Sequence, residues 1–156
     1  MSAPLVLVLN GPNLDKLGTR EPEIYGSTTL LEVENALRER AAELGLAVEC
    51  FQSNDEEALI GLVDGARGRG AAAIMINPAA LTHFSYPLRE ALEATGLPVV
   101  EVHISNIHAR EPFRRLSLVS GIAKGVIAGL GVNGYTLALD AIAGMVGVPQ
   151  KGARTE

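Results

Sequence analysis

Residues 71–83 read AAAIMINPAALTH, and the first six of them decide the fold class. Ala71–Ile76 is a short apolar run without the polar alternation of a strand that has one wet face. Such a run is buried on both sides, as in a parallel sheet covered by helices. Leu5–Leu9 (LVLVL), Ala47–Phe51, Val99–Ile104 and Gly125–Ala128 are the other candidate strands. Between them the spacing turns helical. Leu30, Val33, Leu37, Ala41 and Leu44 recur at three- and four-residue steps, with Thr28 or Thr29 as cap and Gly45 as stop. Further helices are expected from about Glu56 to Arg69, Phe84 to Thr95 and Tyr135 to Val146.

Strands alternating with helices predict an α/β three-layer sandwich with a five-stranded parallel sheet. Right-handed crossovers favour the flavodoxin-like order 2-1-3-4-5. The chain has 156 residues, which suits one domain over residues 1–148 followed by a polar tail, 149–156. Aromatic residues make up 4% and tryptophan is absent, so a stacking surface for single-stranded nucleic acid is not expected. A net charge of −5 also argues against a polyanionic partner. Arg110, Arg114 and Arg115 are too few for a nucleic-acid face and fit a small anion better. Cys50 is alone, which leaves no intrachain disulfide and no cysteine zinc site. No basic leader and no long apolar run are apparent, so a cytoplasmic location and no membrane partner are expected.

The connection after the first strand, NGPNLDKLGTREPEIYGS, spans residues 10–27. Most such connections are about four to six residues, and long ones tend to be lids or binding loops. This one carries Arg20 and Tyr25. A tyrosine of ordinary pKa is roughly 0.1% ionised at pH 7. A guanidinium within about 4–6 Å favours the phenolate, so Arg20 folded onto Tyr25 would make a base.

In open α/β sheets, ligands bind outside the carboxyl ends of the strands. Strand one delivers Asn10, Pro12 and Asn13 to that edge. Strand three delivers Asn77 and the residues up to His83, and strand four Glu101, His103, Ser105, His108, Arg110 and Arg114. Gln52-Ser53-Asn54 after strand two reads as a helix cap. Singly these are turn formers or solvated charges; together they converge. Glu101 and His103, two apart on a strand, face one side, so the carboxylate can orient the imidazole as a proton donor. The Ile104 and Ser105 N–H groups can bind a carboxylate as an anion nest. GLGVNG at 129–134 matches a dinucleotide pattern but lacks the following βαβ unit, and reads as a tight turn into the last helix. His103 and His108 have no metal-ligand spacing, and no metal or cofactor is expected.

NGPNL, GTREPEIYG, NPAALTH, EVHISNIHARE and AKGVIAGLG, in this order, resemble type II 3-dehydroquinate dehydratase over about residues 4–147. The resemblance implies a cofactor-free anti elimination of water from 3-dehydroquinate through an enolate, giving 3-dehydroshikimate. It implies Tyr25 as base, Arg20 as its activator, and Asn13 as holder of a water on the enolate oxygen. His103, oriented by Glu101, would protonate the leaving hydroxyl. Asn77, His83 and Arg114 would bind substrate hydroxyls, Ile104 and Ser105 the carboxylate, and Arg110 would support the lid. It further implies a dodecamer built from trimers, with Glu90 standing where an Asp commonly reaches a neighbouring site. Asp55 stands where His is usual, and Leu116 and Leu118 replace a common His and Tyr behind Arg114. A flavodoxin-like carrier or signalling module is the rival class. It would need a Ser/Thr-rich phosphate loop, or acidic residues at the ends of strands one and three, where this chain has asparagines.

Overall fold

The computed structural model describes residues 2–147, so residue 148 and the expected tail at 149–156 lie outside the described residues. Five parallel strands form one sheet in the order β2-β1-β3-β4-β5. They are β1 (Leu5–Asn10), β2 (Ala47–Gln52), β3 (Ala71–Asn77), β4 (Val99–His103) and β5 (Gly125–Ala128). The helices are α1 (Pro22–Tyr25), α2 (Leu30–Leu44), α3 (Glu56–Asp64), α4 (Tyr86–Ala94) and α5 (Asn133–Met145). The order and class are those expected from the unbroken apolar runs.

Side chains alternate across a strand, and this sorts the core into two layers. Val6, Val8, Ala73, Met75, Val100 and Val102 share a cluster with Val33, Leu37 and Ala41 of α2 and Ala138, Leu139 and Ile142 of α5. Leu7, Leu9, Ile74, Ile76 and Val99 pack instead with Leu59 and Val63 of α3 and Leu88 and Leu92 of α4. Each fully buried Val, Leu, Ile or Met among them contributes about 1.5–3 kcal/mol. A one-residue slip of any central strand would exchange the two sets, so the register is strongly fixed. In that register Asn10 lies opposite Asn77. Continuing the alternation, both asparagines face the α2/α5 layer, while Glu101 and His103 share the parity of Val99 and face the α3/α4 layer.

Helix ends follow local chemistry. Thr29 and Glu32 form a reciprocal capping box at the start of α2, and Gly45 closes it in the left-handed region. Ser85 caps α4 by accepting from the Leu88 N–H, which places Phe84 outside the helix. The helix expected to run to Arg69 stops at Asp64. Gly61, Gly65 and Gly68 weaken it, and the chain turns at Gly70, φ 80°, to enter β3. Asp55, rather than the preceding Gln52-Ser53-Asn54, is the side-chain cap of α3, accepting from the Ala58 N–H. The first-strand connection is not bare loop, because it holds a 3₁₀ turn at Leu14–Lys16 and the one-turn helix α1. The glycine-rich 129–134 stretch is a tight turn into α5, as expected. Gly129 and Gly131 have positive φ, and a Cβ on Gly134 would come within 3.3 Å of Ile127 Cγ2.

Gly11 is the closest approach at the sheet edge. Its N–H donates to the Asn77 carbonyl at 2.8 Å, and a Cβ there would fall 2.5 Å from the Pro78 carbonyl oxygen. Backbone blocks that Cβ, so the turn must shift. Gly11→Ala is expected to destabilise the fold by about 2 kcal/mol, within the range for overpacking. Gly61→Ala, with nothing within 4 Å of its new Cβ, should be neutral or stabilising by up to about 1 kcal/mol. Urea unfolding of the two variants tests the contrast; equal losses would refute it.

Candidate active site

A cavity of about 130 Å³ opens at the carboxyl edge of the sheet. Asn13, Arg20 and Tyr25 line it from the connection after β1, and Asn77 and His83 from the end of β3 and the 3₁₀ turn that follows. His103, Ile104, Ser105, Arg110 and Arg114 complete the wall from β4 onward. Nearly every expected site residue is thus brought to one place. Glu101 lies behind His103 rather than on the wall, and Glu90 sits on α4, exposed and ion-paired to Arg89 at 2.8 Å. Among the described residues three non-glycines have positive φ, and two of them, Asn13 (71°) and Ala79 (52°), line the cavity. Such backbone strain collects at functional sites.

Glu101 is fully buried, and its charge is met on every side. Its Oε2 accepts from His103 Nε2, from Thr82 Oγ1 at 2.9 Å and from Ser117 Oγ at 2.7 Å. Its Oε1 accepts from Ser120 Oγ at 2.5 Å. Burial pushes the carboxyl up, but the His103 bond and charge and the two serine hydroxyls outweigh it and hold the group below the usual carboxylate range. An ionised Glu101 can only accept, so Nε2 of His103 carries a proton and Nδ1 is left for the cavity. The expected Glu–His pair is therefore present, with a hydroxyl shell the sequence reading did not supply. Thr82 lay inside the NPAALTH motif without an assigned role. Ser117 and Ser120 sit in an irregular segment, where no periodic signal marks them.

Tyr25 is half-buried against the α2/α5 core layer. Its hydroxyl accepts a hydrogen bond from Arg110 Nη1 at 2.9 Å, and the same Nη1 donates to Ser105 Oγ at 3.1 Å. The Arg110 guanidinium also lies 5.4 Å from the Tyr25 ring centroid. Here the structure differs from expectation: the cation on the phenol is Arg110, the residue read as a loop support. Arg20, the expected activator, lines the same cavity but pairs loosely with Glu21 at 3.9 Å. Sequence spacing favoured the nearer arginine. Folding of the β4 loop brings the distant one instead.

Asn13 is placed by the loop after β2, since its N–H donates to Asn54 Oδ1 at 2.9 Å. Gln52 Nε2 braces the same turn through Gly11 O at 3.1 Å and Asn54 Oδ1 at 3.0 Å. His83 Nδ1 meets the Leu116 carbonyl at 2.7 Å. A carbonyl only accepts, so Nδ1 donates and Nε2 remains open. The backbone of Leu116 makes this contact, so the contact itself does not depend on the side chain at that position. Arg114 is aimed by Glu111, whose oxygen accepts from Nε at 2.6 Å. The bond from Arg114 holds the Glu111 carboxyl below its ordinary range. Among the described residues, neither the Ile104 nor the Ser105 N–H donates a backbone hydrogen bond, so both amides remain open to an anion.

A sequence profile of the family Dehydroquinase class II matches residues 4–143. The 3-dehydroquinate dehydratase of Herminiimonas arsenicoxydans is 56% identical over 134 residues, covering 86% of this chain and 92% of that protein. The crystal structure of type II dehydroquinase from Propionibacterium acnes superposes with a TM-score of 0.87 at 47% identity, covering 92% of this chain and 98% of that one. The type II dehydroquinase of Butyrivibrio crossotus gives 0.88 at 41% identity, covering 90% and 97%. A profile spanning the sheet and every wall of the cavity, with relatives of near-equal length, places the chain: it belongs to the class II dehydroquinase family.

Proposed function

We propose that the chain is a 3-dehydroquinate dehydratase, removing water from 3-dehydroquinate to give 3-dehydroshikimate by anti elimination through an enolate. The reaction serves the shikimate pathway or quinate breakdown. The observation that carries the mechanism is that two groups suited to proton transfer line one cavity: Tyr25 with Arg110 on its oxygen, and His103 backed by Glu101.

Tyr25, as phenolate, takes the proton alpha to the ketone. The Arg110 guanidinium stabilises the negative oxygen before transfer, and Arg20 adds a second cation to the same wall. Charge then moves to the ketone oxygen, where a water held by Asn13 donates to the enolate. His103, charged beside Glu101, gives its proton to the leaving hydroxyl. One proton is taken and one given, so no net change accompanies release of water. Asn77, His83 and Arg114 hold substrate hydroxyls, and the Ile104 and Ser105 amides hold the carboxylate. The segment carrying Arg20 and Tyr25 acts as a lid that excludes water.

The same reading takes the working form to be a cytoplasmic dodecamer of trimers. Phe84, Tyr86, Phe113 and Leu116 expose apolar side chains, and Phe113 stacks edge-on to His83 at 5.7 Å, which puts that aromatic beside a residue of the cavity. Glu90, exposed on α4, then serves a neighbouring subunit's site. Sedimentation should give a dodecamer, and a fully active monomer would contradict the assembly.

Tyr25→Phe should lower kcat by about 10³-fold or more, within the usual span for a lost general base, with circular dichroism and melting unchanged. Arg110→Ala should cost about 10²-fold. Near-native dehydration by Tyr25→Phe, followed by absorbance of the conjugated product, would overturn the mechanism. Borohydride with substrate should trap nothing on a lysine, since the route forms no imine.

Glu101 also sets an acid limit. Its folded pKa is held down, so its stabilisation is present above the unfolded value, near 4.3, and is lost as pH falls through the folded one. Glu101→Gln should cost about 1–3 kcal/mol at pH 7, and its deficit against the native chain should shrink below about pH 4. A deficit independent of pH in urea unfolding would refute this assignment.

A further inference from the structure

Asn10, Asn77 and Tyr135 form a second buried polar set, on the opposite face of the sheet from Glu101. The Tyr135 hydroxyl donates to Asn10 Oδ1 at 2.6 Å and accepts from Asn77 Nδ2 at 2.9 Å. Asn77 Oδ1 accepts the Ala79 N–H at 3.1 Å, in a turn where Ala79 takes a positive φ. Neither Asn10 nor Tyr135 lines the cavity, whereas Asn77 does.

The direction of every bond in this set follows from chemistry. A phenol has one proton. Burial pushes the Tyr135 phenol far above its ordinary range, with Asn77 acting against that shift and Cys50 adding to it, so the ring keeps its proton. That proton goes to Asn10, and the oxygen must then accept from Asn77. The Ala79 N–H can meet only the oxygen of the Asn77 amide. The two constraints agree, and they fix which end of the amide is which. One N–H of Asn77 is left for the cavity.

Asn10 makes this possible at a cost to itself. It is fully buried, and its Nδ2 has no hydrogen-bond partner among the described residues. An apolar residue there would remove the stranded Nδ2 but leave the buried Tyr135 O–H without the acceptor it now has.

We propose that Asn10 and Tyr135 are positioning residues that lock the Asn77 amide with one N–H presented to a substrate hydroxyl. The inference rests on the reading of Asn77 as a substrate ligand. Without Tyr135 or Asn10 the amide loses its directional partner, and substrate binding weakens while the acid–base groups stay in place.

The test is a double-mutant cycle with 3-dehydroquinate. Asn77→Ala should raise KM about tenfold or more. Tyr135→Phe should raise KM about tenfold with kcat within about threefold of native. In the Asn77→Ala background, Tyr135→Phe should change kcat/KM less than twofold, because the residue it acts through is gone. If Tyr135→Phe folds poorly, Asn10→Leu carries the same prediction: it removes the acceptor of the Tyr135 proton, exchanging one stranded donor for another, and a KM rise in a chain whose urea midpoint is close to native separates positioning from packing. Multiplicative losses in the cycle, or a native KM in Tyr135→Phe or Asn10→Leu while Asn77→Ala binds poorly, would overturn the relay and leave Asn77 as a ligand. A native KM in Asn77→Ala would overturn both.

Discussion

A carboxylate buried with no solvent contact is the constraint around which the site is organised. An unpaired buried charge is too costly to keep, and the usual escape is to neutralise it. Glu101 stays ionised because four donors surround it. Each donor fixes a segment. Thr82 anchors the 3₁₀ turn that carries His83, and Ser117 and Ser120 fasten the chain before β5. His103 is held in the one orientation that leaves Nδ1 for the cavity. Replacing Glu101 would therefore loosen three segments together, the turn after β3, the end of β4 and the chain before β5.

The fold was legible because its cause is local. Unbroken apolar runs at Leu5–Leu9 and Ala71–Ile76 mean burial on both faces, and Thr29, Gly45 and Gly129 mark boundaries through chemistry carried by single residues. Errors fell where competing local choices were nearly equal. Three glycines shortened α3, and Asp55 displaced its neighbours as the cap. The Glu101–His103 pair was legible for a related reason, since a two-residue spacing on a strand is a geometric statement.

Contacts between loops were not legible. Arg20 is five residues from Tyr25, and proximity in sequence made it the natural partner. The observed donor, Arg110, is 85 residues away, brought there by the parallel order that places β4 and its loop beside the end of β3. Asn54 beneath Asn13, and Ser117 beneath Glu101, are of the same kind. No periodicity encodes them. Tyr135 read as the first residue of a helix, and its hydroxyl acquires meaning only once Gly134 lets α5 press against β4 and β5.

The alternation of side chains across the sheet also bears on stereochemistry. Tyr25 packs with the α2/α5 layer, the face toward which Val6, Val8 and Asn10 point. Glu101 and His103 have the opposite parity on β4 and reach the cavity from the α3/α4 side. An anti elimination needs its base and its acid on opposite faces of the substrate ring. A parallel sheet supplies that arrangement at its carboxyl edge, because neighbouring strands can send groups from either layer over the same rim. A ring lying across the rim, with its carboxylate on the Ile104 and Ser105 amides, would meet the phenol from one layer and the imidazole from the other. In this reading the strand register that sorts the core into two layers also sets the two proton-transfer groups apart.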